Sequence, residues 1–295
     1  MKLKYKRRWG DRADGRLLRT LPPISKVSPY IMKNRTGAQN TVHYRIDISS
    51  IEAYIRKKRQ EGLRNFGVLH VLVAAYIRTV AKRPAINRFI AGQKIYARHN
   101  VEINMSIKTE MTLDATDTMI KLVFSPDATA DDVYHAFSAE IEKNRQAEGT
   151  ESSFDKTARI LQYIPGLFLK FAVGFLRFLD YFGLLPRVLL HVSPFHGSLV
   201  ITSMGSLGIP PIYHHLYDFG NVPLFIAYGA KMQDVVLHKG TGDVSLKKFL
   251  DFTVSTDERI CDGYYFASAL KFLRSTLENP DVLDLPPDAV IADVQ

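Results

Sequence analysis

Two short stretches of this chain concentrate the side chains that do chemistry. The heptapeptide Asp257-Glu258-Arg259-Ile260-Cys261-Asp262-Gly263 places three carboxylates, a guanidinium and a thiol within seven residues. The second is His214-His215, inside the Pro/Tyr/Gly-rich run from Pro210 to Gly220. Neighbouring histidines bind metals or move protons near neutral pH; the plainer reading is a pair of loop residues that only hydrogen-bond. Cys261 is the only cysteine. To act as a nucleophile it needs a depressed pKa and access, so a buried, structural thiol is the simpler expectation. A lone cysteine excludes an intrachain disulfide framework and a Cys-based zinc cluster, and it fits a reducing, cytoplasmic setting. No metal site is expected. His70 and His196 read as structural, and Tyr264 and Tyr265 either line a site or pack.

The elements that must position these residues follow from pattern. Residues 42–48 read as a strand. Ser49 with Glu52 three residues on is a capping-box pattern opening a helix to about Arg59. Residues 68–82 are apolar on most faces, which predicts a buried helix, and Pro84 ends it. Residues 101–109 and 118–124 read as paired strands with a turn at 114–117. Thr129 and Asp132 cap a helix to about Gln146. Residues 147–156 read as a polar loop. Within 160–192 the spacing predicts an amphipathic helix whose narrow polar stripe is Lys170, Arg177 and Tyr181, with Asp180 at its edge. Those charges interrupt it too often for a membrane span. Strands are predicted at 198–203, 223–230 and 248–255, and a final helix from Gly263 to about Leu277.

Apolar residues at 46% and charged residues at 23% are an ordinary globular mix. Residues 1–20 read as an exposed basic arm and 21–295 as one large domain, with no secretory signal pattern at the start. The net charge of +9 is uneven: residues 1–100 carry 23 Lys/Arg and 5 Asp/Glu, a net of +18, and the rest carry 16 and 25, a net of −9. A basic third attracts phosphate-rich partners or a membrane surface; equally, it packs against the acidic remainder. Nucleic-acid binding is not expected, because interleaved aromatics and recognisable motifs are missing.

The heptapeptide resembles the Asp-His-Arg-x-x-Asp-Gly signature of dihydrolipoamide acyltransferases, which recurs as His-x-x-x-Asp-Gly in chloramphenicol acetyltransferases. Leu199-Val200-Ile201-Thr202-Ser203-Met204-Gly205 resembles the Phe-Thr-Ile-Ser-Asn-x-Gly strand of the same enzymes. Residues 43–48, the helix after them and Pro84-Ala85-Ile86-Asn87 match the family's N-terminal half in order and spacing. The resemblance spans about residues 24–280, with 147–192 as an apolar helical insertion. It implies an α/β fold, a chloramphenicol acetyltransferase-like two-layer sandwich with a mixed β-sheet. It also implies a homotrimer with active sites at subunit interfaces, and acyl transfer between coenzyme A, or a carrier thioester, and a thiol, hydroxyl or amine. Acyl-coenzyme A is then a substrate. Asp155-Lys156 is like a lipoyl-lysine dipeptide, but no small β-domain surrounds it, so no lipoyl lysine is expected here. By the resemblance Thr202 matches the oxyanion hydroxyl, Asp262 the structural aspartate that pairs with an arginine, and Gly263 the helix-start glycine, with Arg259 inside the motif. Glu258 stands where the family carries its base histidine.

A thiol titrates near ~8.5, histidine near ~6.5 and glutamate near ~4.3, so moving a thiol proton onto an ordinary glutamate costs about 3 kcal/mol more than onto histidine. Burial erases that difference, because a desolvated glutamate becomes a competent base. Glu258 therefore needs a dry pocket, and His215 is the candidate substitute base if the loop reaches the pocket mouth. The competing reading is a catalytically inactive trimeric binding or scaffold protein of the same fold. For the helix at 166–182 the alternatives are an acyl-chain lid or channel, contact with a membrane surface, or packing in a trimer or in the core, the last being favoured.

Overall fold

The computed structural model describes residues 7–108, 117–146, 163–238 and 240–295. The expected turn at 114–117, the loop at 147–156 and Asp155-Lys156 fall wholly or almost wholly outside these residues. Two antiparallel-rich sheets form. The larger has six strands in the order β2 (Gln39–Asp47), β9 (Val244–Asp257), β8 (Leu224–Leu237), β7 (Leu199–Ser203), β5 (Val101–Lys108) and β6 (Asp117–Phe124). The β5–β7 and β7–β8 pairs are parallel and the others antiparallel, so the sheet is mixed. The smaller sheet joins β1 (Gly15–Leu17), β4 (Lys94–Arg98) and β3 (Arg88–Ala91).

One face of the large sheet carries the main core. Helix α3 (Val68–Lys82) lies there with α2 (Ser49–Gln60), α4 (Ala130–Gln146) and the final helix, named α7 below. The apolar run predicts α3 residue for residue, and it is buried from His70 to Ala81. The opposite face carries a smaller cluster in which Val200, Phe225 and Ala227 meet Leu216 and Val222 of the loop between β7 and β8. Side chains alternate across a strand. Leu199 and Ile201 therefore join the main core, while Val200 and Thr202 face the loop.

Several sequence expectations need correction. Residues 11–18 are no exposed arm: Asp11, Arg12, Asp14 and Leu18 are buried, and β1 pairs with β4. Arg12 reaches Asp14 at 3.0 Å and Asp180 at 2.5 Å, which compensates the cost of burying its charge. A nine-residue helix, α1 (Pro23–Ile31), also forms, with Pro23 at a tolerated first-turn position. The capping box at Ser49 does not form. The Asp47 carboxylate accepts from both the backbone N–H (2.9 Å) and the hydroxyl (2.6 Å) of Ser49, while Glu52 binds Lys231 and Lys248 instead. At Thr129 and Asp132 the box forms as expected, with reciprocal contacts of 2.8 and 3.3 Å. The basic N-terminal third packs against the acidic part: Lys57 on Asp281 and Asp284, Lys58 on Asp131 and Asp284, Arg88 on Asp293.

The amphipathic segment forms α5 (Gly166–Tyr181), followed by α6 (Arg187–Val192), and the last helix is α7 (Gly263–Glu278). Packing in a trimer or in the core is favoured for α5 from sequence; within the single chain it is not core packing, because none of its residues is buried. Its C-terminal end is nonetheless fixed, since Asp180 lies under Arg12 and His196, and the Tyr181 hydroxyl donates to Gln93.

His70 is the core histidine the sequence suggests. Its Nδ1 accepts the Gly67 N–H at 3.0 Å, and its ring stacks on Phe66 at 5.2 Å. Burial pulls its pKa down from the ordinary 6.5 to about 4. The unfolded chain titrates at the higher value, so the stabilisation His70 gives is complete above about pH 6.5 and is lost as the pH falls through the folded value, by roughly 3 kcal/mol in all. The variant His70→Gln keeps an acceptor for Gly67 and cannot titrate. Guanidinium unfolding followed from neutral to mildly acid pH is expected to show a shallower loss of stability in His70→Gln than in wild type; equal slopes would contradict this role for His70.

Candidate functional site

β9 leaves the sheet at Asp257, and a tight turn carries the chain into α7. The turn closes with Ile260 N–H on the Asp257 carbonyl at 3.2 Å, and Ile260 plugs into the main core. The Asp257 side chain is wholly buried. It accepts from Arg259 Nε at 2.7 Å and Nη2 at 2.6 Å, in the two-pronged geometry that suits a guanidinium and a carboxylate. Arg35 adds a second buried cation, its Nε 3.6 Å from Asp257 Oδ2. Arg259 spends Nη1 on the Met32 carbonyl at 2.7 Å, and Arg35 donates to the carbonyls of Tyr217 (2.7 Å), Gly220 (2.8 Å) and Ile90 (3.2 Å).

Glu258 stands between these anchors and points the other way, into solvent. Its N–H donates to the Ala38 carbonyl at 2.9 Å, and Oε2 accepts from Asn40 Nδ2 at 2.9 Å. The backbone is therefore pinned, one carboxylate oxygen is held, and Oε1 is left open to an incoming group. Among the described residues of the single chain no dry pocket encloses Glu258, which is exposed.

Asp262 caps α7, accepting the Tyr265 N–H at 2.9 Å. The motif aspartate was expected to pair with an arginine; in this chain that pairing belongs to Asp257. The reason is local: Asp262 sits where the first turn of a helix presents unpaired N–H groups. Gly263 opens α7, and a Cβ there would meet nothing within 4 Å. Cys261 stays a thiol, because burial pushes its pKa up to about 12. Tyr265 packs with its hydroxyl accepting the Ala85 N–H at 3.1 Å, whereas Tyr264 is exposed.

Thr202 is half-buried on β7, on the face toward the β7–β8 loop. It lies level with Ala227 on β8, which lies level with Thr253 on β9. Thr202 is thus two strands across from β9 and five residues back from Glu258, a separation of roughly 19 Å at ordinary strand spacings. The two cannot touch one acyl group from within one chain. The loop after Thr202 is clamped down: Met204 N–H donates to the Tyr228 carbonyl and Ala230 N–H to the Ile209 carbonyl. Gly229 permits this, because a Cβ there would lie 2.8 Å from Pro211 N.

The histidine pair belongs to the same loop. His214 stacks on Phe225 with ring centres 4.0 Å apart, its carbonyl accepts from Ser255 Oγ at 2.7 Å, and burial lowers its pKa. His215 is exposed and stacks on His214 at 4.7 Å. Among the described residues the two rings meet each other, Phe225 and Tyr217, not Glu258 or Thr202. His196 is structural, 3.5 Å from Asp180. Among the described residues no group of three metal-binding side chains converges. Sequence reasoning missed Arg35 and Asn40, because Asn40 meets the turn through the β2–β9 register and Arg35 reaches it from the segment before β2, both from more than 200 residues away.

No family model matches this chain, and no curated protein matches it in sequence. Among solved structures it is similar to a probable dihydrolipoamide acetyltransferase from Listeria monocytogenes, with TM-score 0.56 and 15% identity over 88% of this chain and 95% of that one. A dihydrolipoamide acetyltransferase of Azotobacter vinelandii gives TM-score 0.54 and 16% identity over 90% and 93%. A chloramphenicol acetyltransferase gives 0.50 and 9% over 89% and 99%. These likenesses establish the fold, a chloramphenicol acetyltransferase-like two-layer α/β sandwich.

Replacing Asp257 with Asn would leave two buried guanidinium groups without a counter-charge. The expected cost is about 3–5 kcal/mol of unfolding free energy, read by chemical denaturation. A loss under about 1 kcal/mol would remove the cluster from its anchoring role.

Proposed function

We propose that this chain is an acyltransferase that moves an acyl group between coenzyme A, or a carrier thioester, and a thiol, hydroxyl or amine acceptor. The observation that carries the reading is the pinned turn: Glu258 is held at the end of β9, with one oxygen open, in a fold whose solved relatives are acetyltransferases. In the proposed reaction Glu258 takes the acceptor's proton as the acceptor attacks the thioester carbonyl. The hydroxyl of Thr202 donates to the oxygen that becomes negative. Collapse of the tetrahedral intermediate expels the coenzyme A thiolate, which recovers the proton from Glu258.

Because Thr202 and Glu258 of one chain lie far apart, the working pair comes from two neighbouring copies, and a homotrimer supplies three such sites. The neighbour's surface would exclude water around Glu258, the condition under which a glutamate serves as a base. Arg259 acts by positioning, through Asp257. His215 is the substitute base to test if Glu258 proves dispensable.

Thiol release from a panel of acyl-coenzyme A donors, with mixed acceptors, tests the reading. Glu258→Gln and Thr202→Val are each expected to lower kcat/KM by about 100-fold or more. Mixed oligomers refolded from the two inactive variants should regain about a quarter of wild-type activity, since random assembly pairs an intact Thr202 with an intact Glu258 at that share of interfaces. Turnover indifferent to Glu258 would overturn its role, and no turnover with any donor would leave a trimeric binding or scaffold protein of the same fold.

A further inference from the structure

Helix α5 lays out Phe168, Phe171, Phe175, Phe178 and Phe182 at alternating steps of three and four residues, counting one residue past its end, which sets them on one face. With Leu167 beside them, these side chains are between 50% and 78% exposed. Large exposed apolar patches mark interaction sites. The C-terminal end of the ridge is held in place, because Asp180 is fixed by Arg12 and His196, and α6 is held by Lys121 Nζ on the Leu190 carbonyl at 2.6 Å.

The charges around the ridge say what covers it. From residue 163 to residue 195 the only acidic residue is Asp180, and it is turned inward and paired. Lys170, Arg177 and Arg187 are all exposed. Along residues 163–195 the segment is therefore apolar and cationic, with no exposed carboxylate. A protein-binding face carries a polar rim, and a paired helix seam carries opposite charges at its flanks to fix register. Here the ridge is flanked by Leu167, Ala172, Gly174 and Leu179. A lipid surface needs no such rim. The helix has 16 residues, about 24 Å, short of the ~30 Å hydrocarbon core, and no helix among the described residues is long and apolar enough to cross a membrane. Trp9, the chain's only tryptophan, is 98% exposed three residues before Arg12, the residue that holds the end of α5. Tryptophan favours the headgroup layer.

We propose that α5 is an interfacial anchor that lies in the plane of an anionic lipid bilayer, with its phenylalanine ridge among the acyl chains and Lys170 and Arg177 level with the headgroups. This inference is independent of the acyltransferase reading.

Flotation of the full chain with phosphatidylcholine vesicles, and with vesicles also containing phosphatidylserine, tests it. Wild type is expected to float with the anionic vesicles and to be released by salt. Phe171→Glu/Phe175→Glu should lower the bound fraction about tenfold or more, and Lys170→Glu/Arg177→Glu should abolish the preference for phosphatidylserine. All four side chains are exposed, so melting should be unchanged, and the salt titration of wild type stands without any variant. Wild type that floats with neither vesicle would overturn the proposal. So would a phenylalanine double variant that binds like wild type, or one that changes only the mass of the protein in solution, which would make the ridge a contact between copies.

Discussion

The carboxylate of Asp257 lies wholly buried between two guanidinium groups, and four separate parts of the chain converge on it. Taking such charges out of water costs several kcal/mol each unless every donor finds an acceptor. Here they do so almost completely. Arg259 divides its donors between Asp257 and the carbonyl of Met32, and Arg35 divides its own among Tyr217, Gly220 and Ile90. The segment before β2, the loop over the second sheet face, strand β3 and the end of β9 are thereby fixed to one point. Glu258 owes its outward aim to this arrangement, because the residues on either side of it are both committed inward.

A second buried polar group does similar work at the far side. Asp14 receives Asn221 at 2.7 Å and lies 3.8 Å from Arg98, while Arg12 bridges Asp14 and Asp180. This joins the first residues described to the end of α5 and to the loop before β8. The uneven charge of the sequence finds its explanation in these pairs and in those of Lys57, Lys58 and Arg88: much of the basic surplus of the first hundred residues is spent on carboxylates that come later in the chain.

What the sequence made legible was local. Helix α3 followed from a mostly apolar run, the strands from short β-rich stretches, and the turn into α7 from a heptapeptide. What it hid was set by distance. Arg12 is buried because Asp180, 168 residues away, meets it. Asn40 partners Glu258 because β2 pairs with β9 in one register. Even nearby competition was hidden: Asp47 captured Ser49 from two residues upstream, and Asp257, not Asp262, won the arginine. The wheel gave the polar stripe of α5 correctly, yet periodicity alone does not say whether an apolar ridge is covered.

Among the described residues strand β2 sits at the edge of its sheet, with β9 as its sole sheet neighbour. The hydroxyls of Thr41 and Ser255, which meet at 2.9 Å, are 214 residues apart. A ribosome adding roughly 5–20 residues per second needs on the order of 10–40 s to deliver the second after the first. Throughout that interval β2 lacks its sheet neighbour, and the mostly apolar helix α3 has α2, α4 and β5 to pack on but not yet the final helix α7. The β8–β9 hairpin, by contrast, closes as soon as it emerges. Closure of the sheet edge at β2, and of the α7 side of α3, therefore waits for the last fifty residues of the chain.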